Sequence, residues 1–161
     1  MQKREHLKFI LERCKGGIDA LLKNITEEDS LFRLDGYPNH IRWEVGHMAR
    51  GLSQILNCLT DETDFPKNWT ELFSRGAVLA SDSSVYPSLE EIKLKMDYLY
   101  DKIFSVLDKI EDEKLEEEIQ IFTEWKNSRI HGALFLCMHD FHHGGQIMVL
   151  RRVIGKERVF G

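Results

Sequence analysis

The stretch His139-Asp140-Phe141-His142-His143-Gly144-Gly145-Gln146-Ile147 sets two histidines four residues apart inside an apolar helical pattern. Each residue of an α-helix turns by about 100°, so such positions stack on one face with Cβ atoms about 6 Å apart. On a helical wheel His139 falls near the centre of an apolar arc made by Phe135, Leu136, Ile147 and Leu150, with His143 and Gln146 flanking it and Asp140 at the edge. The segment reads as a helix whose histidines point into a core. An imidazole there has lost its water and needs a partner. A single core histidine is ordinarily satisfied by backbone or side-chain hydrogen bonds. Two on one inward face, both able to reach an ion at about 2.0–2.1 Å, point to a metal.

Outward from this stretch the chain reads as four helices. The histidine helix begins near Thr123 to Asn127 and runs to Ile154, with Gly155 ending it. The first helix spans Glu5 to Leu22, its apolar positions Leu7, Ile10, Leu11, Cys14, Ile18, Leu21 and Leu22 at helical spacing and Asn24 as terminator. A turn region from Thr26 to Asn39 follows, and Asn39 is the expected cap of the second helix. That helix carries the stripe Ile41, Val45, Met48, Leu52, Ile55 and Leu59. From Thr60 to Pro87 the pattern breaks into a long polar stretch with one short helical piece around Trp69 to Phe73, a crossover or a cover over a site. The third helix opens on Ser88-Leu89-Glu90-Glu91, a capping box, and runs through Met96 and Ile103 to Ile110. An acidic linker, Glu111 to Glu118, leads to the last helix, and no hairpin signal is read in it. The expectation is an all-α, single-domain four-helix bundle over residues 1–161 with a long crossover between helices 2 and 3.

The second helix offers a third ligand. Beside its apolar stripe runs a narrower strip of His40, Glu44, His47, Gly51, Gln54 and Cys58. Cys58 lies eleven residues from His47, about 16 Å along the axis, so the two cannot share an ion. His40 sits at the helix start, where capping is the default. His47 is deeper, and Gly51 one turn on leaves room. The candidate ligands are therefore His47, His139 and His143.

Composition narrows the function classes. A net charge of −5 argues against nucleic acid, whose binders present a basic face. No apolar run is long enough to cross a bilayer, and the N-terminus leads into an amphipathic pattern. Cys14, Cys58 and Cys137, an odd and widely spaced set, read as reduced, buried thiols; the expected location is cytoplasmic.

Two segments resemble the DinB-like (YfiT-like) superfamily. Asn39-His40-Ile41-Arg42-Trp43-Glu44-Val45-Gly46-His47-Met48-Ala49 is similar to the family's helix-2 signature, and His139 through Gly155 resembles its terminal motif of His, three residues, His, any residue, Gly-Gln, then Leu-Arg and a Gly. Trp69 to Gly76 and Tyr86-Pro87-Ser88 are similar to its crossover, so the likeness spans nearly the whole chain. The resemblance implies a bundle with a divalent transition metal (zinc, nickel or iron) on His47, His139 and His143. His142 matches no ligand position. Gly144 stands where the family commonly has Arg, and Gly144-Gly145 would cost a free helix about 2 kcal/mol relative to alanine, which close approach of another helix or subunit would rationalise.

Three histidines leave an open coordination position, as in catalytic sites. The resemblance implies thiol S-transferases that use low-molecular-weight thiols such as bacillithiol, mycothiol or glutathione on a small-molecule electrophile, with one mycothiol-dependent isomerase branch. Glu44 would orient a ligand or accept a proton; the competing reading is a surface charge. A non-catalytic metal-containing stress-response or binding protein is the alternative, and a metal-dependent hydrolase the weaker one. In the latter case Asp140 replaces the Glu of H-E-x-x-H and no third ligand follows. Ferritin-like di-iron chemistry lacks its inward glutamates. Arg151 and Arg152 read as complements to the last helix's C-terminal dipole. The face opposite the histidines carries Ile130, Leu134, Cys137, Phe141 and Met148, which the Thr60–Pro87 crossover or a homodimer partner would have to cover.

Overall fold

The computed structural model describes residues 2–160. Four long helices are α1 (Lys3–Leu22), α3 (Ile41–Thr60), α5 (Leu89–Leu107) and α7 (Arg129–Val153). Short pieces join them: α2 (Glu27–Leu31), α4 (Lys67–Thr70), a 3-10 turn at Ser83–Val85 and α6 (Asp112–Leu115). The expected bundle is present. α3 packs between α7 and α5, and α1 closes the square against α7 and α5. Leu7, Leu11, Met48, Leu52, Ile55, Leu56, Ile92, Leu99, Ile103 and Ile147 are fully buried at the centre. Among the described residues no helix is long and apolar enough to cross a membrane.

The ends follow local chemistry. α1 stops where Asn24 takes a left-handed φ of 61°, a conformation asparagine tolerates. α5 starts at the expected box, Ser88 accepting from the Glu91 N–H while Glu91 reaches back to Ser88. The cap of α3 is His40 rather than Asn39. The His40 Nδ1 accepts from the Trp43 N–H at 3.0 Å, which frees Asn39 to donate to Glu44 at 2.8 Å.

The crossover is tied down at two places. Asp64 accepts from Lys95, Tyr98 and Lys102 of α5, and these donors hold its carboxyl well below the usual range. Beyond α4, the carbonyls of Leu72 and Phe73 accept from side chains of α3. The crossover thus covers the histidine end of the bundle.

Three further expectations are corrected. Residues 118–128 form an antiparallel hairpin, β1 (Glu118–Phe122) with β2 (Trp125–Ser128), where an acidic linker and the start of a helix were expected. Arg129 pins the start of α7, donating to Asp61, Glu117 and the Cys58 carbonyl. The second apolar face of α7 is covered largely by α1, not by the crossover. Ile130, Cys137 and Gly144 are buried, and a Cβ on Gly144 would touch Leu21 at 3.5 Å. Phe141 and Met148 remain exposed. Arg151, buried, reaches back to the end of α1 and donates to the Leu21 and Lys23 carbonyls, so it caps that helix rather than its own.

Candidate metal centre

His47 on α3 and His139 and His143 on α7 come together, their candidate ligand nitrogens all within 4.8 Å of one another. The Nε2 of His139 lies 3.2 Å from that of His47 and 2.9 Å from that of His143. A tetrahedral ion bound at about 2.0–2.1 Å needs nitrogens about 3.4 Å apart, so the cluster is close to a ligating geometry.

The protonation of the rings is set from behind. The His47 Nδ1–H donates to the Phe73 carbonyl at 2.6 Å, and the His143 Nδ1–H donates to a Glu44 carboxylate oxygen at 2.5 Å. In each neutral ring the Nε2 then carries a lone pair. Lone pairs on His47 and His143 therefore face the Nε2 of His139 at short range, an arrangement that a cation at the centre relieves. Backing of imidazole by a carbonyl or carboxylate is the usual outer support of a metal-bound histidine. Burial pushes His47 down to about 4, against a smaller opposing effect of its hydrogen bond to the Phe73 carbonyl, and the nearby Arg50 guanidinium adds a little to the lowering. It is thus neutral and able to ligate at pH 7.

Glu44 has no exposure at all and is no surface charge. Its two oxygens are taken by His143 and Asn39, so it stands behind the cluster. Asp140, expected at the edge of the apolar arc, is buried, and neither oxygen has a hydrogen-bond partner among the described residues. Its Oδ1 lies 4.0 Å from the His139 Nδ1, which is likewise unpartnered. Burial holds this carboxyl's pKa above the usual range. Gly51 provides the space: a Cβ there would stand 3.5 Å from that carboxylate oxygen. Orphaned acceptors around inward-facing imidazoles fit a site built for a positive centre.

Trp43 stacks on His47, with ring centroids 4.8 Å apart and planes 10° from parallel, and its Nε1–H donates to the Leu72 carbonyl. His142 is not among the converging ligand nitrogens; it lines the same cavity, packs edge-on against the His143 ring at 5.2 Å and pairs with Gln146 at 2.7 Å. The histidines form one wall of a cavity of about 670 Å³, whose other walls include Arg50, Gln54, Arg75, Phe122 and Phe135. Sequence reading missed the aromatic wall. Phe122 and Trp125 of the hairpin pack edge-on against Phe135 at 5.7 and 5.1 Å. The alternation Ile119, Ile121 before Thr123-Glu124 was the available signal.

A family model described as the DinB superfamily matches residues 10–147. No curated protein shows significant similarity to the chain. Among solved structures, it is similar to an uncharacterized protein from Clostridium difficile 630 with a TM-score of 0.71 and 15% identity, covering 94% of this chain and 96% of that one. A conserved protein from Enterococcus faecalis gives 0.70 and 19%, covering 97% and 99%. A protein from Streptococcus pneumoniae gives 0.70 and 16%, covering 96% and 92%. At these identities the likeness speaks for the fold alone. The family match covers most of the chain, and the chain belongs to the DinB superfamily.

Proposed function

We propose that this protein is a metal-dependent thiol S-transferase that takes a low-molecular-weight thiol and a small-molecule electrophile as substrates. The observation that carries the reading is that the three Nε2 atoms converge on the wall of a cavity of about 670 Å³ and are not sealed in the core, leaving one side of an ion to a small molecule. A divalent ion such as zinc, nickel or iron held by His47, His139 and His143 supplies Lewis acidity that lowers the pKa of a thiol. The chain's own contribution is orientation. Phe73 and Glu44 fix the tautomers of His47 and His143, Asn39 fixes Glu44, and Trp43 holds the His47 plane. The crossover and the aromatic wall narrow the access of water.

In the reaction the thiol S–H bond breaks and the proton passes to solvent, directly or through the His142 imidazole, because among the described residues no carboxylate lines the cavity to take it. A sulfur lone pair forms a bond to the electrophilic carbon. The bond from that carbon to its leaving group breaks with its electron pair, and the leaving group takes a proton from water.

Elemental analysis of untagged protein, followed by cobalt substitution and thiol addition, tests the reading. One ion per chain is expected, lost in His139→Ala and His47→Ala and retained in His142→Ala, with a sulfur-to-cobalt charge-transfer band when a bacterial thiol is added. An ion retained by the His47→Ala, His143→Ala double variant would sink the site. A cobalt spectrum unmoved by every such thiol would sink the transferase and favour a non-catalytic metal protein.

A further inference from the structure

The cavity beside the histidines has a charge opposite to that of the chain. Its walls carry Arg50 and Arg75 and, among the described residues, no aspartate or glutamate, in a protein of net charge −5. Arginine ion pairs elsewhere in the chain use Arg4, Arg42 and Arg129. Arg50, half-buried, and Arg75, exposed, have no carboxylate within 4.0 Å and no hydrogen-bond partner among the described residues, which is equally true of the exposed Arg13 and Arg33; what sets the two apart is their place on the cavity wall. Their positions are not incidental to the site. Trp43, His47, Arg50 and Gln54 recur at helical spacing on one stripe of α3, and all four line the cavity. Arg75 follows Phe73, whose carbonyl orients His47, and sits just before Gly76, which turns the crossover with a φ of 78°. Facing them are Phe122, Phe135 and Leu136, which offer apolar surface.

A guanidinium is a rigid fork of donors matched to a carboxylate, and two of them without partners make a receptor for negative charge. We infer that the substrate of this cavity is a carboxylate-bearing small molecule with an apolar arm, its carboxylate taken by Arg50 and Arg75 and its arm laid on Phe122, Phe135 and Leu136. The inference deepens the transferase reading and rests on its assignment of the cavity as the substrate site. The carboxylate belongs either to the thiol or to the electrophile, and the test separates the two.

The probes are 2-benzyl-3-mercaptopropanoate, its neutral primary amide, and the sulfur-free 2-benzylpropanoate. Each is titrated into cobalt-loaded protein, with Trp43 in the cavity wall as fluorescent reporter and the cobalt spectrum as an independent one. Native protein is expected to bind either acid at least about tenfold more tightly than the amide, the difference one charge-assisted hydrogen-bonded contact makes. That preference should vanish in the Arg50→Gln, Arg75→Gln double variant, while the amide's affinity, metal content and melting temperature stay unchanged. Both side chains lack intramolecular partners, so the variant is expected to fold. A thiol acid that binds with a charge-transfer band places the carboxylate on the thiol. Arginine-dependent binding of both acids with no band from the thiol acid places it on the electrophile, and leaves the thiol reading to fail by itself. Equal affinity for acid and amide, a preference that survives the double variant, or no binding of any probe overturns the inference.

Discussion

Gly46 is where the fold and the candidate site can be perturbed together by one methyl group. A Cβ built on Gly46 would stand well under 3.0 Å from three carbons of the Phe73 ring, whereas carbon atoms rest at about 3.5–4.0 Å. The ring must therefore retreat by roughly 1 Å, and it is fully buried, edge-on to Trp69 and beside Tyr86. Overpacking of this severity costs about 3 kcal/mol, and alanine's better helix propensity offsets about 1 kcal/mol. Gly46→Ala should then lose about 2 kcal/mol, a melting temperature about 4–8 °C lower for a chain of this size. Because the carbonyl of the same Phe73 orients His47, ion affinity should also fall by about ten- to a hundredfold, the usual cost of a lost outer partner. Melting in chelator gives the first quantity and chelator competition the second. Gly145 serves as the control: it is mid-helix with nothing within 4 Å of a Cβ, so Gly145→Ala should stabilise by about 0.5–1 kcal/mol. A Gly46→Ala protein as stable as wild type would refute the packing argument, and unchanged ion affinity the link through Phe73.

Other expectations follow from single groups. Burial pushes His40 down to about 4, so the unfolded chain binds more protons between there and 6.5, and the stability His40 contributes is full above 6.5 and lost as pH falls through about 4. The loss is on the order of 3 kcal/mol; in chelator, His40→Asn should show a shallower decline from pH 7 to 4.5, and equal slopes would count against it. Cys14, Cys58 and Cys137 are buried, and burial pushes the Cys58 thiol up to about 11. Iodoacetamide should therefore leave the native chain unmodified by mass spectrometry and label all three cysteines in urea; rapid native labelling would contradict the burial. A homodimer across the exposed Phe141 and Met148 remains our proposal. Sedimentation should show wild type as a dimer at micromolar concentration and Phe141→Glu as a metal-binding monomer, and a monomeric wild type would end the idea.

The helices were legible because their apolar positions recur on one face and their boundaries carry Asn24, Ser88 and Gly155. The convergence of the histidines was legible from the four-residue spacing and from the place of His47 beside an apolar stripe. What stayed hidden is what sequence spacing does not encode. α7 is buried from two sides, by α1 and α3, so its buried arc is wider than the histidine arc and takes in Asp140. The exchange of roles between Asn39 and His40 depends on Glu44 being turned inward to receive the amide. The hairpin lacks the Asn-Gly or Asp-Gly pair that marks a tight turn, and its alternating isoleucines sit among glutamates that resemble a solvated linker. The aromatic wall built on it was hidden for the same reason.

His47 and His139 are 92 residues apart along the chain. An ion shared between them is therefore a removable cross-link between α3 and α7 that the unfolded chain does not possess. Binding to the native state alone adds RT ln(1 + [L]/Kd), about 4 kcal/mol when free ion stands a thousandfold above its Kd, against a typical total of about 5–15 kcal/mol for a folded domain. Since transient opening exposes a chain to proteolysis, an ion held at the proposed site would make the lifetime of each copy a readout of ion supply, which scarcity would shorten and repletion restore with no change in the rate of synthesis.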